Sequence, residues 1–221
     1  MSRIEELLKQ HCPDGVEYKP LGEVGEFIRG RRFTKNDYVE SGLGCIHYGQ
    51  IYTDYGTAAD STVAFLNPDL RGSLRLARKN DLVIAATGEN IEDVCKAVAW
   101  LGEEKVAVHD DCYIYRHSFD PMFASYLFQS SAFQEQKARY VSESKVVRVS
   151  GVNLSKIRVP VPPPEVQHEI VKVLTLMASL KAELEAELRA ELEARQHQYA
   201  HYRDALLTFP EKEQVQVDDL G

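Results

Sequence analysis

The sequence predicts an α+β protein: one mixed α/β domain built on a twisted sheet, followed by a single long C-terminal helix. Three observations carry that expectation. Residues 1–160 alternate short apolar runs with Gly- and Asn-containing turns, the pattern of short strands with flanking helices. A proline run then falls at Pro160, Pro162, Pro163 and Pro164, four of the chain's nine prolines within five residues. From Glu165 to Phe209 neither Gly nor Pro occurs, and Ala, Leu, Glu, Gln and Arg dominate, all strong helix formers.

Taken in order, Ile4–His11 reads as a short amphipathic helix. Strands are expected at Gly25–Arg29, Gly44–Tyr48, Asp81–Ala86, Lys96–Trp100 and Cys112–Arg116. Asp120-Pro121 opens a helix expected to run to about Tyr140, with Phe123, Leu127 and Phe128 facing inward. Val146–Val149 is the last expected strand. The proline run fits neither helix interior nor central strand and reads as a stiff extended connector. Pro164 suits the first turn of the helix beyond it, and Pro210 marks its stop. At 1.5 Å per residue that helix is about 68 Å long. The expected units are therefore a domain over 1–160, the connector and helix over 161–209, and a tail over 210–221.

The long helix carries an apolar seam at Val173, Met177, Leu180, Leu184, Leu188, Leu192, Tyr199, Tyr202 and Leu206, with Arg195 filling one position. The steps are 4-3-4, then 4-4, then 3-4-3-4, a heptad seam interrupted by a stutter near Leu188. Such a stripe needs a partner helix. This sequence supplies no second helix of similar length, so self-association is the simplest expectation.

Composition narrows the function classes. At 221 residues, 44% hydrophobic and 27% charged, the chain has ordinary globular composition, which excludes wholesale disorder, a collagen-like fibre and a disulfide scaffold. Its longest apolar run, Leu82–Ala86, is far short of the roughly 20 residues that span a bilayer. Acids at Glu5 and Glu6 stand where a signal peptide has its apolar core, so no membrane partner and a cytoplasmic location are expected. Cys12, Cys45, Cys95 and Cys112 form no CxxC pair; buried free thiols are expected rather than a zinc ribbon.

The net charge of −8 conceals an asymmetry. Residues from Glu165 onward hold 6 bases and 12 acids, leaving 20 bases and 22 acids before them. Those earlier bases cluster: Arg29, Arg31, Arg32 and Lys35; then Arg71, Arg75, Arg78 and Lys79; then Lys137, Arg139, Lys145, Arg148, Lys156 and Arg158. Local patches of this kind, rather than total charge, attract phosphates. Scattered solvated bases remain the alternative reading. At the chain end, Val16, Leu21 and Gly22 recur as Val215, Leu220 and Gly221 at an offset of 199, as though the chain entered a second copy of its N-terminus.

Catalytic signatures are mostly missing. There is no GxxxxGK[ST] loop, and Ala86-Thr87-Gly88-Glu89-Asn90 has too few glycines for a dinucleotide fingerprint. Neither Asn67-Pro68-Asp69-Leu70 nor Asp120-Pro121-Met122-Phe123 has the second proline expected of a DNA amino-methyltransferase. The nearest enzymatic alternative is a small Mg²⁺ nuclease of the PD-(D/E)xK type using Asp69 with Glu103 or Glu143. His197 and His201 share a helix face without an evident third ligand, so no metal site and no cofactor are expected. Bases, aromatics and polar groups do interleave in Arg29–Lys35 and His47–Tyr52, where Arg and Lys can hold phosphates and Gln, Asn and His can reach base edges.

Three segments together resemble a known family: Lys19-Pro20-Leu21-Gly22-Glu23-Val24; then Asn80-Asp81-Leu82-Val83-Ile84-Ala85-Ala86-Thr87-Gly88-Glu89-Asn90-Ile91; then Leu154–Gln167, with its proline run, leading into the long helix. The sequence resembles the specificity subunit of Type I restriction-modification systems. The resemblance implies a non-catalytic target-recognition domain, with methylation and cleavage on separate methyltransferase and restriction subunits. Family members usually carry two such domains and two helices paired antiparallel; this sequence has one of each. It therefore implies a half-length form whose helix pairs as an antiparallel coiled coil in a homodimer, reading a gapped inverted repeat in double-stranded DNA. The residues expected to touch DNA are Arg29, Arg31, Arg32, Lys35, His47, Tyr48, Gln50, Thr87, Asn90, Ser144, Lys145 and Arg148. A purely structural coiled-coil adaptor is the third reading.

Overall fold

A computed structural model describes residues 2–141 and 147–209. The chain forms two compact units that divide after Lys172, each built from local rules. In the first, two five-stranded mixed sheets share the core. One has the order Gly25–Arg29, Cys112–His117, Leu82–Ala85, Ala97–Trp100, Ala58–Ala59. The other runs Tyr38–Val39, Phe65–Leu66, Leu43–Ile46, Val106–Val108, Leu76–Ala77. Its parallel pair, Leu43–Ile46 with Val106–Val108, sets Val108 opposite Ile46. No helix among the described residues is long and apolar enough to cross a membrane.

The period-2 alternation of a strand explains why the apolar runs are continuous. Leu82 and Ile84 enter one core cluster while Val83 and Ala85 enter another. Ala97 and Ala99 divide from Val98 and Trp100 in the same way, as do Tyr113 and Tyr115 from Cys112 and Ile114. A strand covered on both faces has no polar side to show. The first cluster is closed by the helices Pro121–Gln129 and Ser131–Ala138 through Phe123, Leu127, Phe128 and Phe133.

The expected elements are present, with three local differences. The strand predicted to reach Tyr48 ends at Ile46. His47 there becomes the cap of a helix, Tyr48–Thr53: its Nδ1 accepts from Gly49 N–H at 3.2 Å, and Gln50 Oε1 accepts from His47 N–H at 2.8 Å. The helix expected from Asp120 to Tyr140 is two helices, because Ser130, with extended ψ of 145°, ends one and caps the next through Phe133 N–H. Lys137, grouped by sequence with the solvated bases, is 1% exposed. Its ammonium donates to Glu92 O, Val94 O and Gln134 Oε1, which satisfies all three protons. Cys45, Cys95 and Cys112 are buried free thiols, and Cys12 is half-buried.

The ends of the first unit are clasped together. Tyr18–Pro20 pairs antiparallel with Arg158–Pro160, Lys19 opposite Val159, and Leu21 N–H and Gly22 N–H donate to Ile157 O and Ser155 O. A Cβ on Gly22 would lie 2.9 Å from Ser155 Cβ, so the close approach requires glycine. Beyond the clasp, buried Gln167 bridges two segments: its amide donates to Pro162 O, and its oxygen accepts from Asp120 N–H, both at 2.8 Å. It lies in the first turns of the helix Pro164–Leu207. Within the second unit the seam side chains are open: Met177, Leu180, Leu184, Leu188, Leu192, Tyr199, Tyr202 and Leu206 are 55–73% exposed.

His117 gives this fold a pH dependence. It closes the strand Cys112–His117 between the rings of Tyr115 and Phe119, with centroids 5.2 and 5.9 Å away. Burial pushes its imidazole down to about 4, against partial opposition from Asp81, the Phe119 backbone and Asp120. Neither ring nitrogen makes a well-formed hydrogen bond among the described residues, although the Phe119 backbone is near enough to oppose the shift. The unfolded chain protonates below about pH 6.5 and the folded chain only near 4. Stability should therefore fall by about 3 kcal/mol as pH drops through that window. His117→Phe should remove this component, read as a shallower slope of unfolding free energy against pH. An unchanged slope would show that the histidine already reaches water.

Candidate nucleic-acid interface

The surface around the turn His109–Asp111 collects the chemistry. The chain leaves the strand Gly25–Arg29 by crossing directly over that turn: Gly30 N–H donates to Cys112 O and Arg31 N–H to Val108 O. A Cβ on Gly30 would sit 2.0 Å from His109 O, so only glycine passes there. Beyond it Arg31, Arg32 and Lys35 are exposed, while Phe33 is buried edge-on against His109. Gly30→Ala should lift this loop and cost about 1–3 kcal/mol, the range for overpacking. A lower denaturation midpoint with an unchanged slope would register it; an unaltered midpoint would mean the loop moves freely.

Two hollows flank the turn. The first, about 470 Å³, is lined by Phe33, Thr34, Lys35, Tyr38, His47, Gly49, Gln50, Thr53 and His109. The second, about 320 Å³, is lined by Arg29, Ala86, Thr87, Tyr113, Tyr140, Arg148, Val149, Ser150 and Asn153. Residues of the turn reach both. Asp110 O accepts from Arg29 Nε at 2.9 Å, and Asp111 Oδ1 from Thr87 Oγ1 at 3.4 Å. The backbone of Thr87 pairs with Arg148, placing the two side by side. The rings of His47 and His109 lie tilted at 52° to each other with centroids 4.5 Å apart. Burial lowers the proton affinity of His47, His109 lowers it further, and Asp111 and Asp110 oppose.

The sequence-predicted residues divide accordingly. Lys35, His47 and Gln50 meet at the first hollow, and Arg29, Thr87 and Arg148 at the second. Tyr48 is half-buried against His47. Thr87 is 8% exposed. Asn90 is exposed, lines neither hollow and bonds Asp93. Ser144 and Lys145 lie outside the described residues, as does Glu143. Sequence reading missed His109, Tyr140 and Asn153. The run His109-Asp110-Asp111 directly after an apolar strand was the available signal for the first.

Several bases of the other clusters already have partners within the chain. Lys79 pairs with Glu103, Arg78 with Asp81 at 3.8 Å and Arg71 with Glu104 at 4.0 Å. Lys137 is internal and Arg158 donates to Tyr18 O. The pairing of Glu103 with Lys79 also weakens the nuclease alternative, since Asp69 and Glu103 belong to no metal-ligand cluster among the described residues. Lys35, His47 and Gln50 thus line one hollow and Arg29 and Arg148 the other; such cations can hold phosphates, and such amide and imidazole groups can reach base edges.

The model of the family described as Type I restriction modification DNA specificity domain matches residues 13–194. The chain belongs to this family. It is 27% identical over 209 residues to the EcoR124I/EcoR124II specificity subunit of Escherichia coli, covering 90% of this chain and 50% of that one. A Haemophilus influenzae protein named as a type I restriction enzyme specificity subunit is 36% identical over 190 residues, covering 86% and 47%. The chain spans about half the length of the curated relatives it matches. Solved structures agree in fold. A chain from work on assembly and conformational transition of the type I R-M system superposes with TM-score 0.60 at 18% identity, covering 89% of this chain and 48% of that one. The HsdS subunit from Thermoanaerobacter tengcongensis gives 0.54 at 16%, covering 82% and 44%. The family drawn from the three sequence segments and the α+β class are both borne out.

Proposed function

We propose that this chain is a non-catalytic DNA-recognition subunit that works as half of a two-part reader. The observation that carries this is one specificity-type domain joined to one helix whose apolar seam lies open along its length. A second copy supplies the matching seam. The two helices then pair antiparallel, and the two domains each present the face around His109–Asp111 to one half of a split target. Two-fold symmetry makes that target an inverted repeat with a gap. Arg29, Arg31, Arg32, Lys35 and Arg148 hold phosphates, while His47, Gln50 and Asn90 are candidates for base edges. Methyltransferase subunits, and the restriction subunit through them, supply the chemistry in the cytoplasm. The domain so assigned is 1–160, with 161–209 as connector and spacer.

A methylome tests it. The chain is expressed with a matched Type I methyltransferase subunit in a methylation-free host, and modified adenines are sequenced. A gapped inverted repeat is the expected result. A gapped asymmetric motif would overturn the homodimer, and no motif with a methyltransferase proven on another subunit would overturn the recognition role.

A further inference from the structure

We propose that His47, His109 and Asp111 form a binding site for a divalent transition-metal ion of the zinc class. The sheet register builds the site. Ile46 and Val108 are paired partners on parallel strands, so the next residues, His47 and His109, emerge near each other. His109 N–H donates to Ile46 O at 3.1 Å, which fixes one against the other. One donor atom from each of His47, His109 and Asp111 lies within 4.8 Å of the other two.

The spacing suits tetrahedral coordination. Bonds of 2.0–2.1 Å place neighbouring ligands about 3.3 Å apart, and Asp111 Oδ2 lies 3.5 Å from His109 Nδ1. One edge of the tetrahedron is therefore already set, and a His47 donor within 4.8 Å of both other ligand atoms supplies the third corner. Two imidazoles and one carboxylate favour zinc, cobalt or nickel over the oxygen-seeking magnesium and calcium. Solvent in the open first hollow supplies the fourth position.

The contacts around His109 Nδ1 supply an independent reason. That nitrogen faces Asp110 Oδ1 at 3.2 Å and Asp111 Oδ2 at 3.5 Å, yet also lies 3.3 Å from Asp111 N–H as an acceptor. A metal ion at this nitrogen would be met by both carboxylates, with Asp111 N–H turning away from the occupied lone pair. On the other side, His47 must release Gly49 N–H, which borders the same hollow and can turn to water. The ion ties the cap of helix Tyr48–Thr53 to the turn under the Arg29–Lys35 loop. With metal bound, His47 is a ligand, and Lys35 and Gln50 remain to face a partner.

The test needs no DNA, so its outcome is separate from that of the recognition role. The full chain is stripped with chelator and titrated with Co²⁺, then with Zn²⁺ as competitor. The expected result is one Co²⁺ per chain, with the strong visible absorption of tetrahedral coordination, displaced by Zn²⁺. His47→Asn keeps a capping acceptor for the helix while removing the imidazole; with Asp111→Asn it should weaken binding at least tenfold, circular dichroism unchanged. A His197→Gln/His201→Gln double variant should bind as before. Absence of cobalt absorption would overturn the site. Retention in the His47 and Asp111 variants, or loss in the helix variant, would overturn it equally.

Discussion

Leu184→Asp combined with Leu188→Asp is expected to abolish the proposed homodimer at micromolar concentration with the helix content intact. Both leucines are more than half exposed within one chain, 55% and 60%, so neither contributes much to the fold of the single copy. They stand either side of the middle of the helix Pro164–Leu207. When two copies pair antiparallel in full register, the middle of one helix meets the middle of the other at the two-fold axis. Position 184 of one helix then faces the region of position 188 of the other, so each new carboxylate enters the apolar seam close to another. A buried unpaired charge costs several kcal/mol, and four of them exceed what a seam of this length returns. Sedimentation velocity reads the change directly, with the methylated motif lost in parallel. A double variant that sediments as a dimer would show that the seam lies elsewhere. A monomeric wild-type chain would show that its helix partner comes from a different subunit.

The fold was legible wherever local rules decide it. Unbroken helix formers from Glu165 onward marked the long helix, and apolar runs such as Leu82–Ala85 marked strands covered on both faces. Errors fell where one side chain redirects the backbone. His47 caps a helix within what read as a strand, and Ser130 splits one helix into two. The candidate site was harder because it depends on register. His109 is unremarkable in sequence until the pairing of Val108 with Ile46 brings it beside His47. Charge clusters misled for a related reason: Lys79 and Lys137 look alike in sequence, yet one meets Glu103 on the surface and the other three oxygens in the interior. The segments that carried the family resemblance have structural causes. Lys19–Gly22 and Ile157–Pro160 are the two halves of one clasp.

Asp81→Ala should destabilise the first unit by about 3–5 kcal/mol, the range for breaking a buried ion pair by removing one partner. The segment Asn80-Asp81 is a turn with a specific task. Asn80 takes the left-handed conformation at φ 72°, which Asn tolerates better than most residues. Asp81 N–H then donates to Arg78 O, and Asp81 O accepts from Trp100 N–H. This aims the Asp81 carboxylate, with only 3% of the side chain exposed, at Arg116 on the neighbouring strand. The guanidinium grips it with two bonds, at 2.9 and 3.2 Å, and Arg78 N–H adds a third at 3.0 Å. Alanine leaves those three donors without their acceptor and strands the Arg116 charge, whose side chain is only 32% exposed. Asp81→Asn keeps the shape and one acceptor, so it should cost about half as much. Chemical denaturation at neutral pH separates the cases through the midpoint at constant slope. A loss below about 1 kcal/mol for alanine would mean that Arg116 swings to water and recovers its hydration. The Asp81–Arg116 pair would then hold the turn's direction without holding the domain together.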